Sequence, residues 1–208
     1  MSGTIGDNLF RASGVVAEKE AAAGGAWTLI ERQAASGTDV SAIQFDEVFS
    51  TTYDWYKIFI QGGISDSTGA DPLLRLLVGT TAQTGTYNTY QNIGTNGSGQ
   101  AVSSWTAGVT TGWLLAGYYD MTYTSSPDLK KRYYHEITLH NPFQTDLYIA
   151  MGCFTYGWDR EAAGSGYKLV VNTFGGYPTA TACDGFDYLG DTGDVSDSAI
   201  AVYGINKS

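Results

Sequence analysis

The stretch DEVFSTTYDWYKIFIQG (residues 46–62) carries the clearest early signal of the fold class. From Trp55 onward, side chains alternate between two faces, which is the period of a β-strand with one buried face. The pair Tyr53–Asp54 is predicted to turn the chain into this strand. The side chains predicted to face the core are Tyr56, Ile58 and Ile60.

Similar strand patterns recur along the rest of the 208-residue chain. KRYYHEITLHN (131–141) alternates most regularly, and we predict that it forms a hairpin with DLYIAMGCFTYG (146–157). The polar region 80–111 is too long for an ordinary connection and is expected to hold one or two strands. No long amphipathic helix pattern intervenes. The sequence therefore predicts an all-β protein, an antiparallel sandwich or barrel of about eight to ten strands.

The first 25 residues differ from the rest of the chain. Residues 1–25 are rich in Gly and Ala and contain at most one short helix pattern, so we interpret them as an N-terminal arm for docking or assembly. Residues 26–208 are predicted to form the β-sandwich domain. The N-terminus lacks the basic and apolar regions of a signal peptide, which predicts synthesis in the cytoplasm.

The charge of the chain restricts its partners. The net charge is −10 and the isoelectric point is about 4.4. Nucleic acid is not an expected partner, because phosphate binding requires clustered Lys and Arg. The single basic cluster, at residues 130–132, is predicted to be a solvated loop. No apolar run approaches the roughly 20 residues of a membrane span, so no membrane insertion is expected.

Candidate chemical groups are sparse. Cys153 and Cys183 belong to no CxxC or His/Cys motif, so we expect two buried thiols in strands. His135 shares a face with apolar residues and is predicted to be packed, whereas His140 falls at a strand end. The acidic segment 184–197 does not match a calcium loop and is predicted to be a surface loop. The sequence thus predicts no catalytic residue, metal or cofactor.

Aromatic side chains beside Gly-rich turns are the best candidates for a binding surface. Flat rings with hydrogen-bonding neighbours suit sugars and also protein interfaces. Strand packing is the alternative for each of these residues. The candidates for a glycan or protein partner are Tyr87, Tyr90, Trp105, Trp113, Tyr118, Tyr119 and Trp158.

Part of the chain resembles a module of tailed-bacteriophage virion proteins. The resemblance covers roughly residues 5–92. It begins in the leader GDNLFRASGVVA and continues through a pattern of scattered positions. The matching positions are Leu29, Gln33, Ala35, Ser36, Phe49, Ser50, Thr52, Tyr53, Asp54, Tyr56, Ile58, Arg75, Tyr87 and Tyr90, with Leu73, Leu74 and Leu76 around the arginine.

This resemblance implies a jelly-roll-like sandwich on the outside of a phage particle. It implies a non-enzymatic structural protein, either a tail-fibre or spike component that contacts host-surface glycans or a head-decoration protein. A carbohydrate-binding module or glycan hydrolase is a further alternative. The expected partners are other virion proteins, reached through residues 1–25, and further copies of the chain, as a trimer by preference. The expected location is the virion surface.

Overall fold

A computed structural model describes residues 27–35, 39–65, 71–93, 102–109, 111–115, 131–160 and 166–206. Within these ranges the chain forms thirteen β-strands and no helix. The predicted arm at 1–25 lies outside the described residues. The strands are β1 (Trp27–Ala35), β2 (Ala42–Phe45), β3 (Tyr53–Ser65), β4 (Pro72–Val78), β5 (Thr81–Ala82), β6 (Tyr87–Ile93), β7 (Val102–Val109), β8 (Trp113–Leu114), β9 (Lys131–His140), β10 (Ile149–Arg160), β11 (Gly166–Tyr177), β12 (Gly185–Gly190) and β13 (Asp194–Asn206).

The strands form two antiparallel sheets that enclose one core. The larger sheet has eight strands in the order β1-β13-β3-β9-β10-β11-β6-β7. The smaller sheet has five strands, in the order β2-β12-β4-β5, with β8 also paired to β4. Side chains from both sheets belong to the same buried cluster, including Ile58 and Val202 from the larger sheet and Phe45 and Phe186 from the smaller one. The predicted all-β sandwich is therefore confirmed.

Eight of the thirteen strands, four from each sheet, are ordered as in a jelly roll. Two four-stranded sets, β1-β13-β3-β9 and β2-β12-β4-β5, face each other, and the chain passes repeatedly from one set to the other. The number of strands is larger than predicted. Strands β10, β11, β6 and β7 extend the larger sheet beyond β9, and we call these four strands the extension. The two-residue strand β8, paired with β4, is the one further addition to the jelly-roll strands.

Strand β3 follows its predicted alternation. Tyr56, Ile58 and Ile60 are fully buried, as the sequence predicted. The Tyr56 hydroxyl accepts a hydrogen bond from the Ser50 amide (2.7 Å) and donates one to the Ser50 carbonyl (2.9 Å), which ties the preceding loop to the strand. The turn itself lies one pair earlier than predicted, at residues 51–52, because Tyr53 is already paired with β13.

The predicted hairpin of β9 and β10 is also confirmed. The two strands pair antiparallel, with Ile137 opposite Cys153. Strand β11 then returns antiparallel along β10. The polar region that was expected to hold one or two strands contributes β5, β6 and β7, so this expectation was too low.

A short segment at 111–115 fills the inner side of the extension. The rings of Trp113 and Tyr87 lie 5.2 Å apart in an edge-to-face contact, and both side chains are fully buried. The Leu115 carbonyl accepts hydrogen bonds from the hydroxyls of Thr155 (2.9 Å) on β10 and Thr173 (3.1 Å) on β11. These bonds satisfy polar groups that would otherwise be buried without partners. The segment therefore supplies core for strands that extend past the smaller sheet.

Gly175 on β11 is expected to be essential for this packing. A Cβ atom at Gly175 would lie 2.6 Å from Cδ1 and 2.7 Å from Nε1 of Trp113. The Gly175→Ala variant should therefore lower the free energy of unfolding by about 1–3 kcal/mol. Gly152→Ala is the matched control, because a Cβ there meets nothing within 4 Å. Urea denaturation of both variants measures the difference, and equal stability would contradict the packing described above.

Both cysteines are buried free thiols, as predicted. Burial raises the pKa of the Cys153 and Cys183 thiols to about 12. Cys153 lies on β10, but Cys183 precedes β12 instead of lying in a strand, which corrects that part of the prediction. Each thiol is therefore protonated and unreactive at neutral pH.

The acidic segment 184–197 is not the predicted surface loop. Strand β12 and the beginning of β13 make up most of it. The Asp184 carboxylate accepts hydrogen bonds from the Gly79 amide at 2.8 and 3.0 Å, and one Asp191 oxygen accepts from the Asp71 amide at 2.7 Å. These carboxylates thus hold loops in place. In the part of the chain that the structure describes, no group of three or more His, Cys, Asp or Glu could hold a metal ion.

Candidate binding face

The outer face of the eight-stranded sheet carries the largest concentration of exposed aromatic side chains described in the structure. Strand alternation produces this face. On β10, Met151, Cys153 and Thr155 are buried in the interior, so Phe154 and Tyr156 point outward. Monomeric soluble proteins rarely leave large contiguous apolar patches uncovered, and such patches mark sites of interaction.

The part of this face on β1, β13 and β3 is packed against itself. The Trp27 ring stacks on Phe59 at 5.8 Å and lies 6.1 Å from Tyr203. The Lys57 ammonium forms an ion pair with Glu136 on β9 at 2.5 Å and lies 6.0 Å from the centre of the Trp27 ring. The aromatic rings here pack on one another, and the charges of Lys57 and Glu136 are paired. This cluster therefore stabilises the sheet.

The part of the face on the extension is more open. Tyr90, Phe154, Tyr156 and Phe174 are 43%, 42%, 44% and 57% exposed. No described aromatic ring stacks on any of these four. They come from three adjacent strands, β6, β10 and β11, and Phe174 lies directly opposite Tyr90. We call these four residues the extension patch.

A trough of small residues lies beside the extension patch, on the stretches of β10 and β11 that are nearest the ends of β9 and β3 carrying His140 and Trp55. In the pairing register, Trp55, His140, Ala150 and Gly176 lie opposite one another across β3, β9, β10 and β11. In the next row, Gly152 lies between Thr138 and Phe174. The space above Gly152 is open, because a Cβ placed there meets no atom within 4 Å. We call this feature the Gly152 trough; its floor is Ala150, Gly152 and Gly176, and its walls are Trp55, His140 and Phe174.

Trp55 and His140 form the wall on the side of β3 and β9. Their rings lie 4.5 Å apart in an edge-to-face contact, and Trp55 is 50% exposed. Burial, and to a lesser degree the nearby Lys57 ammonium, lowers the pKa of His140 below its usual range. The imidazole is therefore neutral at pH 7 and offers one hydrogen-bond donor and one acceptor. An aromatic face beside a neutral polar group is suited to binding an uncharged polar ligand.

No protein-family model matches the chain, and searches of curated proteins and of solved structures also give no match. The site must therefore be interpreted from its own geometry.

The structure changes the set of aromatic candidates from the sequence. Tyr90 is exposed and belongs to the extension patch. Tyr87 and Trp113 are fully buried, so neither can offer its ring to a surface ligand, and both interpretations are corrected. The Tyr87 hydroxyl instead donates to the Gln83 carbonyl at 2.9 Å. The side chains of two further candidates, Trp105 on β7 and Trp158 on β10, are not described. Tyr118 and Tyr119 lie outside the described residues altogether. These four therefore stay predictions.

Sequence reasoning missed Trp55, Phe154 and Phe174. A signal was present for each one, because alternation in the flanking strand assigns all three to the face opposite the apolar residues. The pattern of an aromatic residue beside a glycine indicated Trp113 instead, which follows Gly112. A neighbouring glycine can allow close packing as well as mark an exposed turn, and at Trp113 it allows close packing.

His135 is packed in the core, as predicted. Its side chain is fully buried, and its Nδ1 atom lies 2.8 Å from the Thr155 hydroxyl. Burial lowers the pKa of the imidazole to about 3. This histidine is therefore neutral at all physiological pH values and has no access to a substrate in solvent. It contributes to the pH dependence of stability and not to surface chemistry.

Acid is expected to destabilise the protein through His135. In the unfolded chain the imidazole binds a proton below its ordinary pKa of 6.5, whereas the folded protein excludes the proton until about pH 3. Between these values the unfolded state binds more protons, so stability falls by about 1.4 kcal/mol for each unit of decrease in pH. Above pH 7 the imidazole is neutral in both states, so the contribution of His135 to the free energy of unfolding does not change with pH.

Urea denaturation at pH 7.5, 6 and 5 measures this effect. The control is His135→Gln, which cannot be protonated and retains hydrogen-bonding groups near Thr155. Carboxylates titrate in both proteins, so the difference in slope between them isolates the histidine. If the two proteins lost stability in parallel as the pH fell, the buried neutral state of His135 would be wrong.

Proposed function

We propose that the protein is a non-enzymatic structural component of a tailed-phage virion, exposed on the particle surface as part of a tail fibre or spike. The observation that carries this proposal is the extension patch, together with the trough beside it. A jelly roll of eight strands needs no further strands to close its core. The extension instead enlarges one outer face and covers it with exposed aromatic side chains, as expected for a surface that contacts a partner.

Two sequence features support the same proposal. The pattern from Leu29 to Tyr90 resembles modules on the outside of phage particles, and the strong negative charge keeps a surface-exposed protein soluble. In the proposed arrangement, residues 1–25 dock the domain on other virion proteins, and copies of the chain associate as a trimer. The outer face of the larger sheet then remains available for the host surface, where glycans are the proposed ligands.

The position of the chain in an electron-microscopy map of the phage particle tests this proposal. Density for the jelly roll on the tail or on a spike is expected. Density on the capsid surface would replace the fibre assignment with head decoration. Absence of the protein from purified particles would refute a virion role and leave a carbohydrate-binding module or glycan hydrolase as the remaining alternative.

A shortened protein tests the proposed docking arm separately. Deletion of residues 2–25 should abolish incorporation into particles while the domain remains folded. Circular dichroism and thermal melting of the shortened protein provide the folding control. Normal incorporation of a folded, shortened protein would exclude docking through this segment.

A further inference from the structure

We propose that the Gly152 trough binds a neutral oligosaccharide, with one sugar ring seated over the glycine between Phe174 and the side chains of β9 and the rest of the ligand reaching Trp55. The inference rests on the proposed function, because it names the class of ligand for the surface assigned there to host contact. Four properties of the trough carry it: its shape, its polar groups, its charge and the area of the surrounding patch.

The shape of the trough suits a single sugar ring. The side chains of β9 and Phe174 on β11 stand two strand spacings apart, which is roughly 10 Å between backbones, and Trp55 on β3 stands one strand further out. Strand β10 lies between them and carries only Ala150 and Gly152 at these positions. Flat aromatic rings pack on the apolar faces of sugars, and Phe174, which is 57% exposed, offers such a ring at the edge of the open floor.

Polar groups lie where sugar hydroxyls need partners. Thr138 lies directly opposite Gly152, and His140 lies directly opposite Ala150, so both stand on the β9 side of the floor. Asn172 is the neighbour of Phe154 on β11, two residues along the strand from Phe174. Ligand sites combine aromatic surface with a small number of such groups, which fix the orientation of the ligand.

The charges favour an uncharged ligand. Lys57, which lies opposite Thr138 in the pairing register, is paired with Glu136 at 2.5 Å, so the pair presents no net charge. The whole chain carries a net charge of −10, which repels anionic sugars. A neutral saccharide avoids this repulsion.

The area of the aromatic surface also argues against a second copy on this face. Trp55, Tyr134 and the four residues of the extension patch are each between 39% and 57% exposed. At about 150–250 Å² for a whole aromatic side chain, they offer roughly 500 Å² together. A stable protein–protein interface buries about 800 Å² on each partner. These six side chains alone therefore supply less than one side of a stable dimer interface, and they offer enough area for an oligosaccharide.

The test is a binding screen with the intact protein against a defined panel of sugars. The probes are neutral tetrasaccharides of glucose, galactose, mannose and N-acetylglucosamine, with sialylated and uronate-containing oligosaccharides as anionic counterparts. Calorimetry at millimolar sugar concentration gives the affinities. We expect at least one neutral probe to bind, and Trp55→Ala and Gly152→Val each to weaken that binding about ten-fold or more.

Trp27→Ala is the matched control for Trp55→Ala, because it removes a tryptophan from the same face two strands away. It should retain the affinity of the parent. Gly152→Val fills the open floor from a position whose Cβ meets nothing within 4 Å, so its melting temperature should stay close to that of the parent. Loss of binding in a folded Gly152→Val protein would therefore place the sugar in the trough.

Several results would overturn the inference. These are the absence of any neutral ligand in the panel, binding of anionic sugars alone, or full affinity in both Trp55→Ala and Gly152→Val. A dimer in light scattering that Phe174→Asp dissociates would assign the face to a second copy. None of these results affects the location of the protein on the particle, so the virion proposal and the sugar proposal can fail separately.

Discussion

Replacing Phe186 with alanine is expected to lower the free energy of unfolding by about 3–5 kcal/mol. Phe186 lies on β12 in the middle of the smaller sheet and is fully buried. Its ring stacks on Phe45 at 4.8 Å and on Phe49 at 5.8 Å, and Phe49 in turn contacts Tyr56 at 4.7 Å. Removal of the ring leaves a cavity where the two sheets meet, and interiors close such cavities only partly.

Phe174→Ala is the matched control, since it makes the same chemical change on the exposed face of β11. Its effect on stability should stay within about 0.5 kcal/mol. Urea denaturation of the two variants at neutral pH gives the comparison. If Phe186→Ala were as stable as Phe174→Ala, the aromatic stack would not be the centre of the core.

Loss of the Arg75 guanidinium is expected to have an effect of similar size. Arg75 on β4 donates two hydrogen bonds to one oxygen of Asp187 on β12, at 2.6 and 3.1 Å. Asp187 is only 5% exposed, so Arg75→Met would leave a buried carboxylate without its partner. Breaking a buried pair in this way costs about 3–5 kcal/mol.

The double variant Arg75→Met/Asp187→Leu separates the cost of the unpaired charge from the value of the pair itself. Apolar replacements for a buried ion pair are often neutral, so the double variant should recover most of the lost stability. Denaturation midpoints of the parent, both single variants and the double variant complete the cycle. A double variant no more stable than Arg75→Met would contradict the idea that the cost comes from the unpaired carboxylate.

Much of the fold could be predicted because alternation reports burial directly. Tyr56, Ile58 and Ile60 on β3 are buried as predicted, and so is His135 on β9. In each of these strands one face meets the core and the other meets solvent, so apolar and polar residues alternate along the sequence. The hairpin of β9 and β10 could be predicted for the same reason.

Other parts of the fold have no alternating pattern in the sequence. Strands β5 and β8 are two residues long and are defined by pairing with β4, so they have no period to detect. Strand β4 is buried on both faces. Its apolar run predicts a strand, but it does not predict which strands pair with it. The burial of Asp187 could not be predicted either, because an acidic residue is expected at the surface unless its pairing with Arg75 is known.

The candidate site was harder to predict than the fold. The trough arises because small residues of the adjacent strands β10 and β11 align, and only the register of Gly152 with Thr138 and Phe174 reveals it. The sequence shows each glycine separately. Trp113 failed as a candidate for the same reason, since its burial depends on Gly175, which lies sixty-two positions away in the chain.

The position of the extension has a consequence for how this protein can change over evolutionary time. All four added strands lie beyond β9, so none separates neighbours within the jelly-roll sets β1-β13-β3-β9 and β2-β12-β4-β5. Substitutions on the outer side of β10 and β11 can therefore alter the exposed surface without disturbing the pairing on which folding depends. The architecture separates a part that must be kept from a part that is free to diversify.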